Sequence, residues 1–217
     1  MHYLSQYQLS VSDARRLRLT DAYSMHRIVY GLFDDVRGGE TNKASGILFA
    51  DKGMKLGGAP RQNMRTVLIL SDRQPREPDY GNIQTKPLPN SYLLADQYVF
   101  ELVINPVRRK RISDKRGPII PITGKPAVRQ WFLEKSPGWG FETHEPSLQV
   151  VDIKVEQFLH KNGDGDTASI AQVTIAQATI TGALHVTDRN AFIKSAYYGI
   201  GRAKAFGCGL LQITPIA

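Results

Sequence analysis

The chain has 217 residues, and its net charge of +8 is spread evenly, with 13 basic and 9 acidic residues up to position 90 and 15 and 11 beyond it. A 41% apolar composition excludes a disordered chain, and no apolar run approaches the ~18 residues that cross a membrane. The single cysteine, Cys208, excludes an internal disulfide and a cysteine-based zinc site, and the opening Met1-His2-Tyr3-Leu4 lacks a signal-peptide layout, so a cytoplasmic globular protein with an anionic partner is expected.

Tyr3 to Val11 reads as a strand, followed by the basic stretch Arg15-Arg16-Leu17-Arg18. Thr20-Asp21 is a helix start, with a capping residue and an acid in the first turn. Ala22, Met25, Ile28, Val29, Leu32 and Phe33 then recur at helical spacing and predict one apolar face, ending by Gly38-Gly39. Ile47-Leu48-Phe49 and Thr66 to Leu70 read as strands. Pro75, Pro78, Gly81, Pro87 and Pro89 predict a linker across 74–89.

Beyond it the pattern restarts. Strands are predicted at Tyr98 to Ile104, from Ile119, at Val151 to Val155, at Ala168 to Thr181 and at Leu210 to Ile213. Helices are predicted at Ala127 to Lys135 and Asp188 to Tyr198, and a hairpin turn at Asn162 to Gly165. That turn opens like a calcium loop but lacks its glycine and its final glutamate. The order predicts an α+β chain of two tandem ferredoxin-like (RRM-like, βαββαβ) domains, 1–90 and 91–217, the first degraded by loss of its second helix. A single α+β domain with an irregular middle is the alternative.

Three features could carry chemistry. On the first helix Tyr23, His26, Arg27 and Tyr30 form a stripe beside the apolar face, with His26 on the boundary. A histidine held there suits proton transfer near neutral pH, and Tyr23 could orient it; an ordinary boundary histidine is the plainer reading. The segment Asn105 to Gly117 puts Arg108, Arg109, Lys110, Arg111, Lys115 and Arg116 on a hairpin between two strands, a density that fits a phosphate backbone or a solvated loop. Gly199-Ile200-Gly201-Arg202-Ala203-Lys204-Ala205-Phe206-Gly207-Cys208-Gly209 lies between a helix and a strand. It has neither the spacing nor the context of a dinucleotide loop, but its glycines permit close approach to a ligand and Arg202 and Lys204 supply cations for a phosphodiester. No histidine pair stands at metal-ligand spacing, and no cofactor is expected.

The glycine-rich end resembles the terminal motif of the RAMP superfamily of repeat-associated RNA-binding proteins. The helix Tyr23-Ser24-Met25-His26-Arg27-Ile28-Val29-Tyr30-Gly31-Leu32-Phe33, the strand ending in Asn105-Pro106-Val107 with its basic hairpin, and the segment from Gly124 to Phe141 make the chain similar to the CasE family of type I-E CRISPR-repeat endoribonucleases. The resemblance implies two ferredoxin-like domains and metal-independent cleavage of precursor CRISPR RNA at the 3′ side of the repeat stem-loop. It implies retention of the mature RNA among the other Cascade subunits, with no membrane. It also implies His26 as the proton-transfer group, Tyr23 and Lys204 as its catalytic partners, and Arg27, Arg202, Lys204 and the hairpin cations as RNA contacts. A non-catalytic stem-loop-binding subunit of the same fold is the alternative.

Overall fold

A computed structural model of the chain describes every residue except 37–43, 56–62, 113–114, 163–168 and 217. The first half contains β1 (Tyr3–Ser10), α1 (Val11–Arg16), α2 (Ala22–Tyr30), β2 (Ile47–Lys55), β3 (Met64–Ser71) and β4 (Asn82–Pro87). Its strands form an antiparallel sheet in the order β2-β3-β1-β4. Helix α2 starts where its sequence predicts. The Asp21 carboxylate accepts from the Ser24 amide at 2.7 Å, and the Ser24 hydroxyl accepts from the Asp21 amide at 2.9 Å, a reciprocal cap.

Alternation explains both faces of this sheet. Phe49, Val67 and Ile69 bury against Met25 and Val29 of α2, while Leu48, Ala50 and Leu70 point the other way, onto Leu88 and Leu210. The uninterrupted apolar runs in β2 and β3 are those of strands covered on both sides.

The second half contains β5 (Gln97–Ile104), β6 (Val107–Ile112), β7 (Lys115–Pro121), α3 (Lys125–Lys135), β8 (Phe141–Thr143), β9 (Gln149–Asn162), β10 (Ser169–Val186), α4 (Arg189–Tyr198) and β11 (Leu211–Pro215). Its main sheet runs β11-β5-β10, with β9 and the short β8 both on the far edge of β10. Counted in chain order, the four strands of the first sheet and strands β5, β9, β10 and β11 of the second both follow the 4-1-3-2 order of a βαββαβ unit, so the chain is a tandem ferredoxin-like α+β protein. Tyr98, Phe100, Leu102 and Ile104 alternate inward from β5 onto Phe132 of α3 and Phe192 of α4. Burying each phenylalanine contributes roughly 2–3 kcal/mol. Strands β6 and β7 form a separate two-stranded hairpin.

Two expectations are corrected. Residues 74–89 are not all linker: 82–87 are β4, paired with β1 alone at the edge of the first sheet. An edge position tolerates the terminal Pro87, because a missing amide there breaks no ladder. The first strand, expected to run to Val11, ends at Ser10, and Val11 instead opens α1, which Ser10 and Asp13 cap reciprocally. The missing second helix of the first half is as expected, since no helix lies between β3 and β4. The turn expected at Asn162 to Gly165 falls largely outside the described residues.

Candidate functional site

His26 lies on the flank of α2 that faces the glycine-rich segment. Its Nδ1 is 2.9 Å from the carbonyl oxygen of Ala205, 179 positions later in the chain. A carbonyl only accepts, so Nδ1 carries the hydrogen and the neutral ring keeps its lone pair on Nε2. Tyr30, one turn on, holds the ring from the side with centroids 4.1 Å apart, and Phe206 approaches it at 5.7 Å. The half-buried His26 is therefore fixed in both tautomer and orientation.

His26 and Lys204 line one cleft of about 290 Å³, together with Tyr30, Tyr197 and Tyr198. The Lys204 ammonium donates to the Tyr198 carbonyl at 2.6 Å, and burial lowers its pKa from the usual lysine value. Ala203, just before it, has φ +57°, a left-handed backbone that a non-glycine residue adopts at a cost. The cleft thus holds one imidazole able to exchange a proton and one cation able to face developing negative charge.

The other expected residues distribute differently. Tyr23 is next to His26, with centroids 6.3 Å apart, and its ring also stacks at 6.3 Å on Phe158 of β9, which packs on Phe206. Arg202 is exposed in the glycine-rich segment. Arg27 is exposed and faces a second groove on the opposite flank of α2. Arg108, Arg109 and Lys110 are exposed on the β6–β7 hairpin, with Arg109 donating to the Gly117 carbonyl at 2.9 Å. The side chains of Arg111, Lys115 and Arg116 lie outside the described residues. Among the described residues no group of three or more His, Cys, Asp or Glu side chains is placed to hold a metal ion.

The glycine-rich segment serves packing, where ligand approach was expected of its glycines. A Cβ on Gly199 would lie 2.6 Å from the Leu48 side chain of β2, and one on Gly209 would lie 2.6 Å from the Ile200 carbonyl oxygen. Gly209 donates to the Val103 carbonyl at 2.7 Å and accepts from the Ile200 amide at 2.9 Å, which ties the segment to β5. These contacts set the position of Ala205 against α2. The residues that the sequence reading left without a role are Tyr30, Tyr197, Tyr198 and Phe206. Tyr30 carries a signal, its place four residues after His26 on the same helix. The Ala205 carbonyl carries none, since every residue has one.

Fold and cleft together define a tandem ferredoxin-like protein with a histidine–lysine cleft at the junction of its two halves. A family model described as CRISPR associated protein matches residues 2–215, and the chain belongs to that family. Its CasE-like motifs agree with that membership. Among solved structures it is similar to CRISPR endoribonuclease Cse3 bound to 19 nt RNA, at 20% identity and TM-score 0.76, over 99% of each chain. It is similar to Thermus thermophilus Cse3 bound to an RNA representing a pre-cleavage complex, at 20% identity and TM-score 0.72, over 99% of each chain. It also matches the CRISPR-associated protein Cas6e from Escherichia coli str. K-12, at 21% identity and TM-score 0.61, over 99% of this chain and all of that one. No curated protein matches its sequence. Among the described residues no helix is long and apolar enough to cross a membrane.

Proposed function

We propose that the protein is a metal-independent endoribonuclease that cuts precursor CRISPR RNA at the 3′ side of the repeat stem-loop and stays bound to the product within Cascade. The observation that carries this reading is the His26 ring, oriented by Ala205 and sharing a cleft with Lys204. Two further facts support it: similar structures are of an RNA-bound endoribonuclease, and another of 21% identity is a CRISPR RNA-guided surveillance complex.

In the proposed reaction the 2′-oxygen next to the scissile phosphate attacks phosphorus, and its proton is taken up as the P–O5′ bond breaks. The 5′-oxygen leaves with a proton from an acid, giving a 2′,3′-cyclic phosphate and a 5′-OH. His26 through Nε2 serves one proton transfer, worth roughly 10²–10⁴ in rate. Lys204, its cationic form disfavoured by burial, serves the other or faces the charge on the phosphoryl oxygens. Tyr23 positions His26 from the preceding turn. Arg108, Arg109, Lys110, Arg111, Lys115 and Arg116 grip the stem, and Arg27 and Arg202 contact RNA phosphates.

The test is a repeat stem-loop labelled at both ends, incubated in excess EDTA with wild type and with His26→Ala. Single-site cutting by wild type alone is expected. Cutting that requires added divalent metal, or that His26→Ala performs equally well, overturns the assignment. Tight binding without cutting by either protein supports a non-catalytic RNA-binding subunit instead.

A further inference from the structure

Helix α2 separates two clefts. At about 100° per residue, His26 and Tyr30 lie on one flank, Ser24, Ile28 and Gly31 on the other, and Arg27 on the crest between them, away from the buried Met25 and Val29. The His26 flank is completed by residues from the second half of the chain. The other flank opens into a groove of about 620 Å³ whose lining, among the described residues, comes from residues 7 to 80.

That groove is basic and carries an aromatic. Arg16, Arg18, Arg27 and Arg76 line it, against Glu77 and Asp79. The Arg16 guanidinium lies over the ring of the exposed Tyr80, 5.5 Å from its centroid. Arg76 donates to the Gly31 carbonyl at 2.8 Å and pairs with Asp34 at 3.4 Å, which fixes a cation at the C-terminal end of α2. Arg18 has φ +52°, a left-handed conformation that glycine adopts without strain. An arginine is thus kept, at a conformational cost, at a position where a glycine would fit the backbone better. Arginines with an exposed aromatic are what a single-stranded nucleic acid needs: cations along its phosphates and a ring for its bases. A paired stem, being rigid, cannot turn over a helix and down into a groove, but an unpaired strand can.

We propose that this groove binds the unpaired RNA strand that leaves the 3′ side of the scissile phosphate, with α2 as the ridge the strand crosses and Arg27 as the contact on its crest. This rests on the reading of the His26 cleft as the cleavage site. On that reading, a strand leaving the His26 cleft over Arg27 enters this groove, because Arg27 lines it.

The experiment compares two RNAs made uncleavable by a 2′-deoxy substitution at the attacking nucleotide: the repeat stem-loop ending at its base, and the same stem-loop with roughly six unpaired 3′ nucleotides. Binding to wild type and to the Arg16→Gln/Arg18→Gln double variant is measured over a range of salt, with thermal melting as a check on folding. Both arginines are exposed, so the double variant should melt as wild type does. Wild type is expected to bind the flanked RNA about tenfold more tightly than the flankless one. The double variant should lose that preference and bind the flankless RNA normally. Its log–log salt slope for the flanked RNA should fall by about 1.4, at about 0.7 for each phosphate that is no longer neutralised. Equal affinity of wild type for both RNAs, or an undiminished preference in the double variant, overturns the groove and leaves the patch to an acidic protein surface. Failure of wild type to bind the flankless stem-loop instead overturns the cleavage-site reading and the groove with it.

Discussion

Gly209→Ala should weaken the fold and the His26 cleft together. Gly209 sits at φ +88°, where an added Cβ would be 2.6 Å from the Ile200 carbonyl oxygen and 3.3 Å from Lys204 Cγ. Holding alanine in that backbone costs about 1–2 kcal/mol. The clash falls on backbone, so the segment must shift, and the 2.9 Å bond from the Ile200 amide to the Gly209 carbonyl is broken or stretched at about 0.5–1.5 kcal/mol. The expected loss is about 1.5–3.5 kcal/mol, a fall in Tm of roughly 3–14 °C for a chain of this size. Because the same shift moves Lys204 and the Ala205 carbonyl, cleavage of a repeat stem-loop, measured well below the variant's Tm, should slow by at least about tenfold. Calorimetry and a single-turnover cleavage assay test the two parts separately. An unchanged Tm refutes the backbone reasoning. A lowered Tm with wild-type cleavage refutes the coupling of the segment to His26.

Asp21→Ala removes the side-chain cap of α2 and should cost about 1 kcal/mol by denaturant unfolding, because the Ser24 amide loses its partner. Cys208 is buried and its thiol is pushed up to about 12, mainly by that burial, so iodoacetamide should label it only after unfolding, as mass spectrometry would report. His2 stacks on Tyr197 with centroids 3.8 Å apart, and burial lowers its pKa below the ordinary 6.5, with the N-terminal ammonium adding to the shift. The unfolded chain therefore takes up that proton first. The stability this stacking contributes is present above about pH 6.5 and disappears as pH falls through the folded value. Melting temperatures of His2→Phe should accordingly fall less than those of wild type below pH 6.5.

Much of the architecture was legible because its signals are local. Asp21 and the spacing from Met25 to Phe33 mark α2, and the alternation of Tyr98 to Ile104 marks β5. Strand β4 was hidden because Ile83 is the one apolar residue of Asn82-Ile83-Gln84-Thr85-Lys86-Pro87, so period-two patterning has nothing to alternate with. Helix α1 was hidden because none of its residues is buried. For the candidate cleft, His26 and Lys204 could be singled out from residue types, and the structure puts both in its lining. The bond that orients His26 could not, since a carbonyl leaves no trace in a sequence. The glycines misled for a related reason: close approach is a property of backbone, and a sequence does not say whether a ligand or the protein itself comes near.

The bond from His26 to Ala205 also sets an order of events during synthesis. A ribosome that has delivered β1, both early helices and the whole first sheet has made His26 and Tyr30 but not Ala205, Phe206 or Lys204. The bond that sets the imidazole tautomer waits until Ala205 has cleared the exit tunnel and the glycine segment has closed against β5. A nascent chain therefore carries its histidine long before it can aim it, and encounters with RNA during translation meet an unassembled cleft.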